Sequence, residues 1–110
     1  MLKKNQSIAH ANFSYIYRKG KRIRLNNADI LYLSNNQSYN QYAIVISTKI
    51  DKLATRRNWM RRQIKSWVFA DNQTVNSGYQ IIIIVKNNFY KNKHLALNIK
   101  KEILTLLNKL

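Results

Sequence analysis

The chain has 110 residues, with 20 Lys and Arg against 4 Asp and Glu, and it contains no Cys and no Pro. That length suits a single domain with one core, and the missing cysteine excludes a disulfide framework and a cysteine zinc site. A net charge of +16 repels itself unless a strong polyanion neutralises it, which makes nucleic acid the default partner.

An anionic lipid surface fits less well, because no segment joins a basic face to an uninterrupted lipid-type apolar face. Met1-Leu2-Lys3-Lys4-Asn5-Gln6 lacks the apolar run of a secretory signal. The aliphatic run 81–85 is far too short to cross a bilayer. A cytoplasmic protein with no membrane partner is expected, forming one RNA- or DNA-binding domain over residues 1–110.

In chain order, residues 7–19 form the first predicted helix. Ser7 is placed to cap it, and Ala9, Phe13, Ile16 and Tyr17 share one face, with His10 near it. Gly20 then occupies the usual position of a left-handed helix stop. Phe13 and Tyr17 read in two ways, as core anchors or as stacking surfaces at the edge of a nucleic-acid groove. Residues 21–25 are short, basic and extended, and Asn26-Asn27 is a turn.

Residues 29–34 are a predicted strand, with Ile30 and Tyr32 on one face and Leu31 and Leu33 on the other. Residues 41–48 are the next strand. The polar loop between them predicts an antiparallel hairpin.

Residues 54–69 hold no Gly or Pro and repeat their apolar positions at helical spacing. Leu53, Met60, Ile64 and Trp67 fall on one face, with Val68 at its edge. Asn58, Arg61, Arg62 and Lys65 share a flank, Arg57 sits near the middle of the apolar stripe, and Arg56 lies on the opposite flank. Four arginines lie within seven residues, and no acid stands four residues before or after any of them. A solvated surface is the ordinary reading of such a run. Uncompensated repulsion, and a preference for arginine over lysine, point instead to bidentate phosphate contacts.

Residues 79–85 form an unbroken aliphatic run that suits a strand covered on both faces. Residues 92–110 are a last amphipathic helix with the stripe Leu95, Ile99, Ile103, Leu106 and Leu110. Its lysines look like a solvated face, and His94 is placed to cap it. The whole reads as a single-domain α+β sandwich with helices packed on a sheet.

The acids Asp29, Asp51, Asp71 and Glu102 are scattered, and no pair has the spacing of a two-metal nuclease site. His10 and His94 lie in different helices, and no Gly-rich phosphate loop is present. The residues therefore point to a protein that binds RNA or DNA without itself cutting it.

Arg57-Asn58-Trp59-Met60-Arg61-Arg62 resembles the signature helix of the bacterial ribonuclease P protein subunit, Arg-Asn-Arg-x-(Lys/Arg)-Arg. Around it, Leu2-Lys3-Lys4-Asn5, then Phe13, Tyr17 and Gly20, then Ser47-Thr48-Lys49, the aliphatic strand and the final helix follow the family's order. Trp59 departs from the pattern, standing where the family has its second Arg.

The resemblance implies an order of helix, three strands, helix, strand, helix, with a left-handed βαβ crossover through the signature helix. It implies the protein component of an endoribonuclease whose catalytic RNA carries the active site and holds Mg²⁺, and which removes the 5′ leader of precursor tRNA. On it, Arg56, Arg57, Asn58, Arg61, Arg62 and Lys65 would contact the catalytic RNA. Phe13, Tyr17, Ile30, Tyr32 and Lys49 would serve the leader cleft. No catalytic or metal-binding residue is expected in this chain, and no obligate protein partner. A structural RNA-binding protein, such as a small ribosomal protein or assembly factor, shares the charge and the helix-on-sheet shape. Indifference to a precursor leader would distinguish it. A self-sufficient nuclease is a third reading, which the acid inventory opposes.

Overall fold

The aliphatic run becomes the inner strand of a four-stranded sheet. The structure is a computed structural model that describes residues 8, 12–37, 39–70 and 78–110. Along the chain these form α1 (Phe13–Lys19), β1 (Lys21–Arg24), β2 (Ala28–Ser34), β3 (Gln41–Val45), α2 (Ala54–Ala70), β4 (Tyr79–Val85) and α3 (Lys93–Lys109). The sheet order is β1-β2-β4-β3. Ile81, Ile82 and Ile83 are fully buried, so β4 is covered on both faces, as its unbroken β-branched composition requires.

The expected hairpin between β2 and β3 does not form. β4 lies between them, antiparallel to β2 and parallel to β3. The polar loop spans a gap one strand wide, and the tight hairpin is β1–β2, closed by Leu25 N–H donating to Ala28 O at 2.8 Å. A central strand with no polar face needs a partner on each edge, and that requirement outweighs loop proximity.

Two clusters flank the sheet. Ile30, Tyr42, Ile81, Ile83 and Val85 pack against Met60, Ile64, Trp67 and Val68 of α2 and Ile99, Ile103, Leu106 and Leu107 of α3. Leu31 and Ile82 point to the other face, against Ile16 of α1 and Ile8. Burying one such aliphatic side chain is worth about 1.5–3 kcal/mol relative to exposing it.

The β3–α2–β4 crossover is left-handed. Viewed from the α2 side with β4 running upward, L-chirality turns the N–H and C=O of Ile81, Ile83 and Val85 to the right. Lys86 N–H donates to Asn27 O, so even positions of β4 bond to β2 and odd positions to β3. β3 thus lies on the right and the crossover moves leftward, against the usual preference.

Several local expectations are corrected. The first helix begins at Phe13 with Asn12 before it. Ile8 is not helical, and its N–H donates to Tyr42 O at 3.3 Å. The expected cap Ser7, and Ala9 and His10, lie outside the described residues, as does Asp71. Gly20 is extended at φ −73° rather than left-handed. Its lack of a side chain is steric, since a Cβ there would lie 2.6 Å from Ile16 O and 3.0 Å from Tyr32 O. The second long strand ends at Val45 rather than at Thr48.

Leu53 is 51% exposed, because it precedes the first turn of α2 and overhangs the core. Asn92, not His94, caps α3, its side chain accepting from Leu95 N–H at 3.1 Å. Glu102 ties α3 to the β1–β2 turn by accepting from the backbone and side-chain N–H groups of Asn27.

Candidate nucleic-acid groove

The start of α2 is tied down by polar contacts to residues beside it. Asp51 Oδ1 accepts from Leu53 N–H at 3.0 Å, and its Oδ2 accepts from Asn88 Nδ2 at 2.9 Å. The Leu53 hydrogen bond first, and the Asn88 bond second, hold the Asp51 carboxyl below the ordinary aspartate range. Arg57 donates through Nη1 to Asp51 O and Lys52 O, each at 2.9 Å. Arg56 lies over the Tyr90 ring at 5.0 Å and 3.9 Å from Asp51 Oδ2. The helix itself carries no pairing acid, but Asp51, three residues before its first residue, supplies one. Arg56 and Arg57 therefore spend part of their polar capacity on the helix entry.

Farther along α2 the basic side chains are less committed. Arg61 donates to Asn58 Oδ1 at 2.6 Å, which braces the guanidinium against its own helix. Arg62 and Lys65 are exposed. Arg61 and Lys65 form one wall of a groove of about 500 Å³, and Phe13 and Tyr17 of α1 form part of the opposite wall. Ile8 and the β3 segment Tyr42, Ala43, Ile44, Val45 and Ile46 complete it.

The groove exists because β3 is an edge strand lying between helices on opposite faces of the sheet. Tyr42 O faces outward to receive the Ile8 N–H. Strand alternation then turns the N–H and C=O of Ile44 to the same outer edge. Aromatic rings, an outward-facing strand edge and two cations thus share one channel. Such a surface is suited to a single-stranded polynucleotide, taking bases by stacking and phosphates by charge.

The expected cleft residues separate into two groups. Phe13 and Tyr17 meet Arg61 and Lys65 here, and Tyr17 is 44% exposed. Ile30 and Tyr32 do not line the groove. They point to the α2–α3 side, where Ile30 is fully buried and Tyr32 packs edge-on against Tyr79 at 5.7 Å. The period of two put them on one face correctly, but which face turns toward α1 is decided by tertiary packing. Lys49 is exposed on the turn after β3, outside the groove walls. The β3 lining was missed because nothing local to residues 41–46 announces an edge strand.

A family model described as Ribonuclease P matches residues 1–110. The chain belongs to the ribonuclease P protein family. It is 36% identical over 110 residues to the ribonuclease P protein component of Ureaplasma urealyticum, covering 98% of this chain and 88% of that one. It is 32% identical to that of Petrotoga mobilis, covering 98% and 92%. The fold is similar to the RNase P protein from Thermotoga maritima, with a TM-score of 0.79 at 22% identity over 90% of this chain and 91% of that one. The Staphylococcus aureus RNase P protein gives 0.77 at 21% identity, over 92% and 94%. Membership of the ribonuclease P family carries a role in tRNA 5′ processing as one component of that enzyme. Trp59, the departure from the family signature, turns away from the groove to pack on Phe89 and Tyr90, with centroids at 6.2 and 5.3 Å.

Proposed function

We propose that this chain binds the catalytic RNA of ribonuclease P along the exposed ridge of α2, and holds the single-stranded 5′ leader of precursor tRNA in the groove beside β3. The observation that carries this reading is the meeting of Phe13 and Tyr17 with Arg61 and Lys65 across the outer edge of β3. Arg61, Arg62 and Lys65 neutralise phosphates and release counterions, with Asn58 hydrogen-bonding beside them, which lets two RNAs approach each other. The groove adds affinity for precursor over mature tRNA by stacking and backbone contact, each stacked base contributing about 1–3 kcal/mol.

Mg²⁺ belongs to the RNA in this reading. Among the described residues no three His, Asp or Glu lie close enough to hold an ion. Asp29, Asp51 and Glu102 already accept contacts from Arg22, Leu53 and Asn27. The described acids do not fit a protein-held Mg²⁺. No described helix is long and apolar enough to cross a membrane, and the proposed place of work is the cytoplasm, with the catalytic RNA and precursor tRNA as partners.

The test is cleavage of a precursor tRNA at low Mg²⁺ with the protein alone, a bacterial catalytic RNA alone, and both. Cleavage at the mature 5′ end that the protein strongly enhances is the expected result. Cleavage by the protein alone would overturn the division of labour, and no effect on a competent RNA would favour a ribosomal or assembly role.

A further inference from the structure

α2 has a second groove on its other flank. Trp59, Gln63 and Trp67, each one turn apart, face Ala96, Leu97 and Lys100 of α3, with Lys91 and Lys93 at the end of the channel. Its volume is about 600 Å³. Leu97 is 55% exposed, an apolar side chain left open between two helices. No acid lines this groove, and among the described residues no carboxylate pairs with Lys91, Lys93 or Lys100. The leader-binding reading uses none of these residues.

We propose that this groove is a binding site for an unpaired nucleotide of RNA, with the base against the Trp59–Trp67 floor and the phosphates on Lys91, Lys93 and Lys100. The proposal rests on RNA being the partner of this chain, and adds a site separate from the leader groove. The half-buried Trp59 indole offers a stacking surface to any base, Trp67 at 9% exposure adds only the edge of its ring to the floor, and the Gln63 amide offers both a donor and an acceptor to a base edge. Three lysines without a compensating acid complement two or three phosphates. An acidic peptide would satisfy the lysines but leave the indole floor and the amide without a specific match. The exposed ridge of α2, with Arg62 on it, runs between the two grooves. One RNA surface lying on α2 therefore reaches both flanks, and Trp59 in place of a family arginine exchanges a cation for the floor of this site.

The chain has only two tryptophans, and both line the groove, so intrinsic fluorescence reads it directly. Hexaadenylate is titrated into the full chain, with total binding followed in parallel by anisotropy of dye-labelled hexaadenylate. Saturable tryptophan quenching is expected, with affinity weakened about tenfold in Lys93→Ala/Lys100→Ala and little changed in Arg61→Ala/Lys65→Ala. Lys91→Ala/Lys93→Ala, which alters two exposed side chains, provides a second pair, and circular dichroism verifies folding.

Quenching that survives both lysine pairs, or that is lost only in Arg61→Ala/Lys65→Ala, overturns the site. Equal quenching and affinity with a hexaglutamate peptide overturns it in favour of an acidic peptide. Anisotropy binding without any tryptophan change overturns this site and leaves the leader groove standing. No binding by either measurement overturns both.

Discussion

Asn58 Oδ1 accepts from Arg61 Nη1 at 2.6 Å, one turn apart on the exposed side of α2. This bond steers a guanidinium that walls the groove. Replacing Arg61 and Lys65 with Ala is expected to weaken binding to the catalytic RNA and lower the slope of log affinity against log salt by roughly one unit per lost phosphate contact. Asn58→Ala is expected to act in the same direction and more weakly, since it frees the arginine without removing it. Filter binding across a salt series measures both, and an unchanged slope in the double variant would remove the ridge from the RNA interface.

Tyr17 separates a groove role from a scaffold role. At 44% exposure its truncation removes little core, and thermal unfolding is expected to shift by no more than about 0.5 kcal/mol. Tyr17→Ala should weaken precursor tRNA by about 1–3 kcal/mol and leave mature tRNA nearly unaffected. Equal losses for the two substrates in a holoenzyme binding assay would place Tyr17 in the scaffold.

Asp29 sets an acid limit on the sheet. It is buried, with Arg22 Nη2 at 2.7 Å from Oδ2 and Lys86 Nζ at 3.0 Å from Oδ1, the second close in distance but poorly aligned as a hydrogen bond. Burial alone would raise its pKa, but the Arg22 and Lys86 contacts together reverse this and hold it below 3.8. The group is thus more acidic folded than unfolded. Its stabilisation is complete above pH 3.8 and is lost as pH falls through the folded value. Asp29→Asn should cost about 1–3 kcal/mol near neutral pH and flatten the loss below pH 4. Urea unfolding at pH 7 and at pH 3 tests this, and equal losses at both would contradict it.

Gly20 tests whether its glycine is there for space rather than for backbone freedom. Its φ of −73° is open to any residue, but a Cβ would meet two carbonyl oxygens. Gly20→Ala should cost about 1–3 kcal/mol and displace α1 from β2. A neutral effect on thermal unfolding would mean that α1 yields easily there.

Periodicity legible in the sequence marked the buried faces of α2 and α3 and the inner position of β4. Met60, Ile64 and Ile103 are buried where the helical stripe put them. Ile81, Ile82 and Ile83 suit an inner strand, because they offer no polar face to water. Charge marked a polyanion partner, and the signature residues marked the family. These are local properties, written in side-chain type and spacing.

Strand neighbours are not local. The sheet order that places β4 between β2 and β3 pushes β3 to the edge, and that edge is what opens a groove between α1 and α2. The same choice buried Ile30 and half-buried Tyr32 on the helical-layer side and turned Tyr42 to Ile46 toward the groove. Only the packed structure decided these things, because pairing β4 on both edges satisfies its backbone and its apolar faces together, and no stretch of ten residues carries the information about which strand supplies each partner.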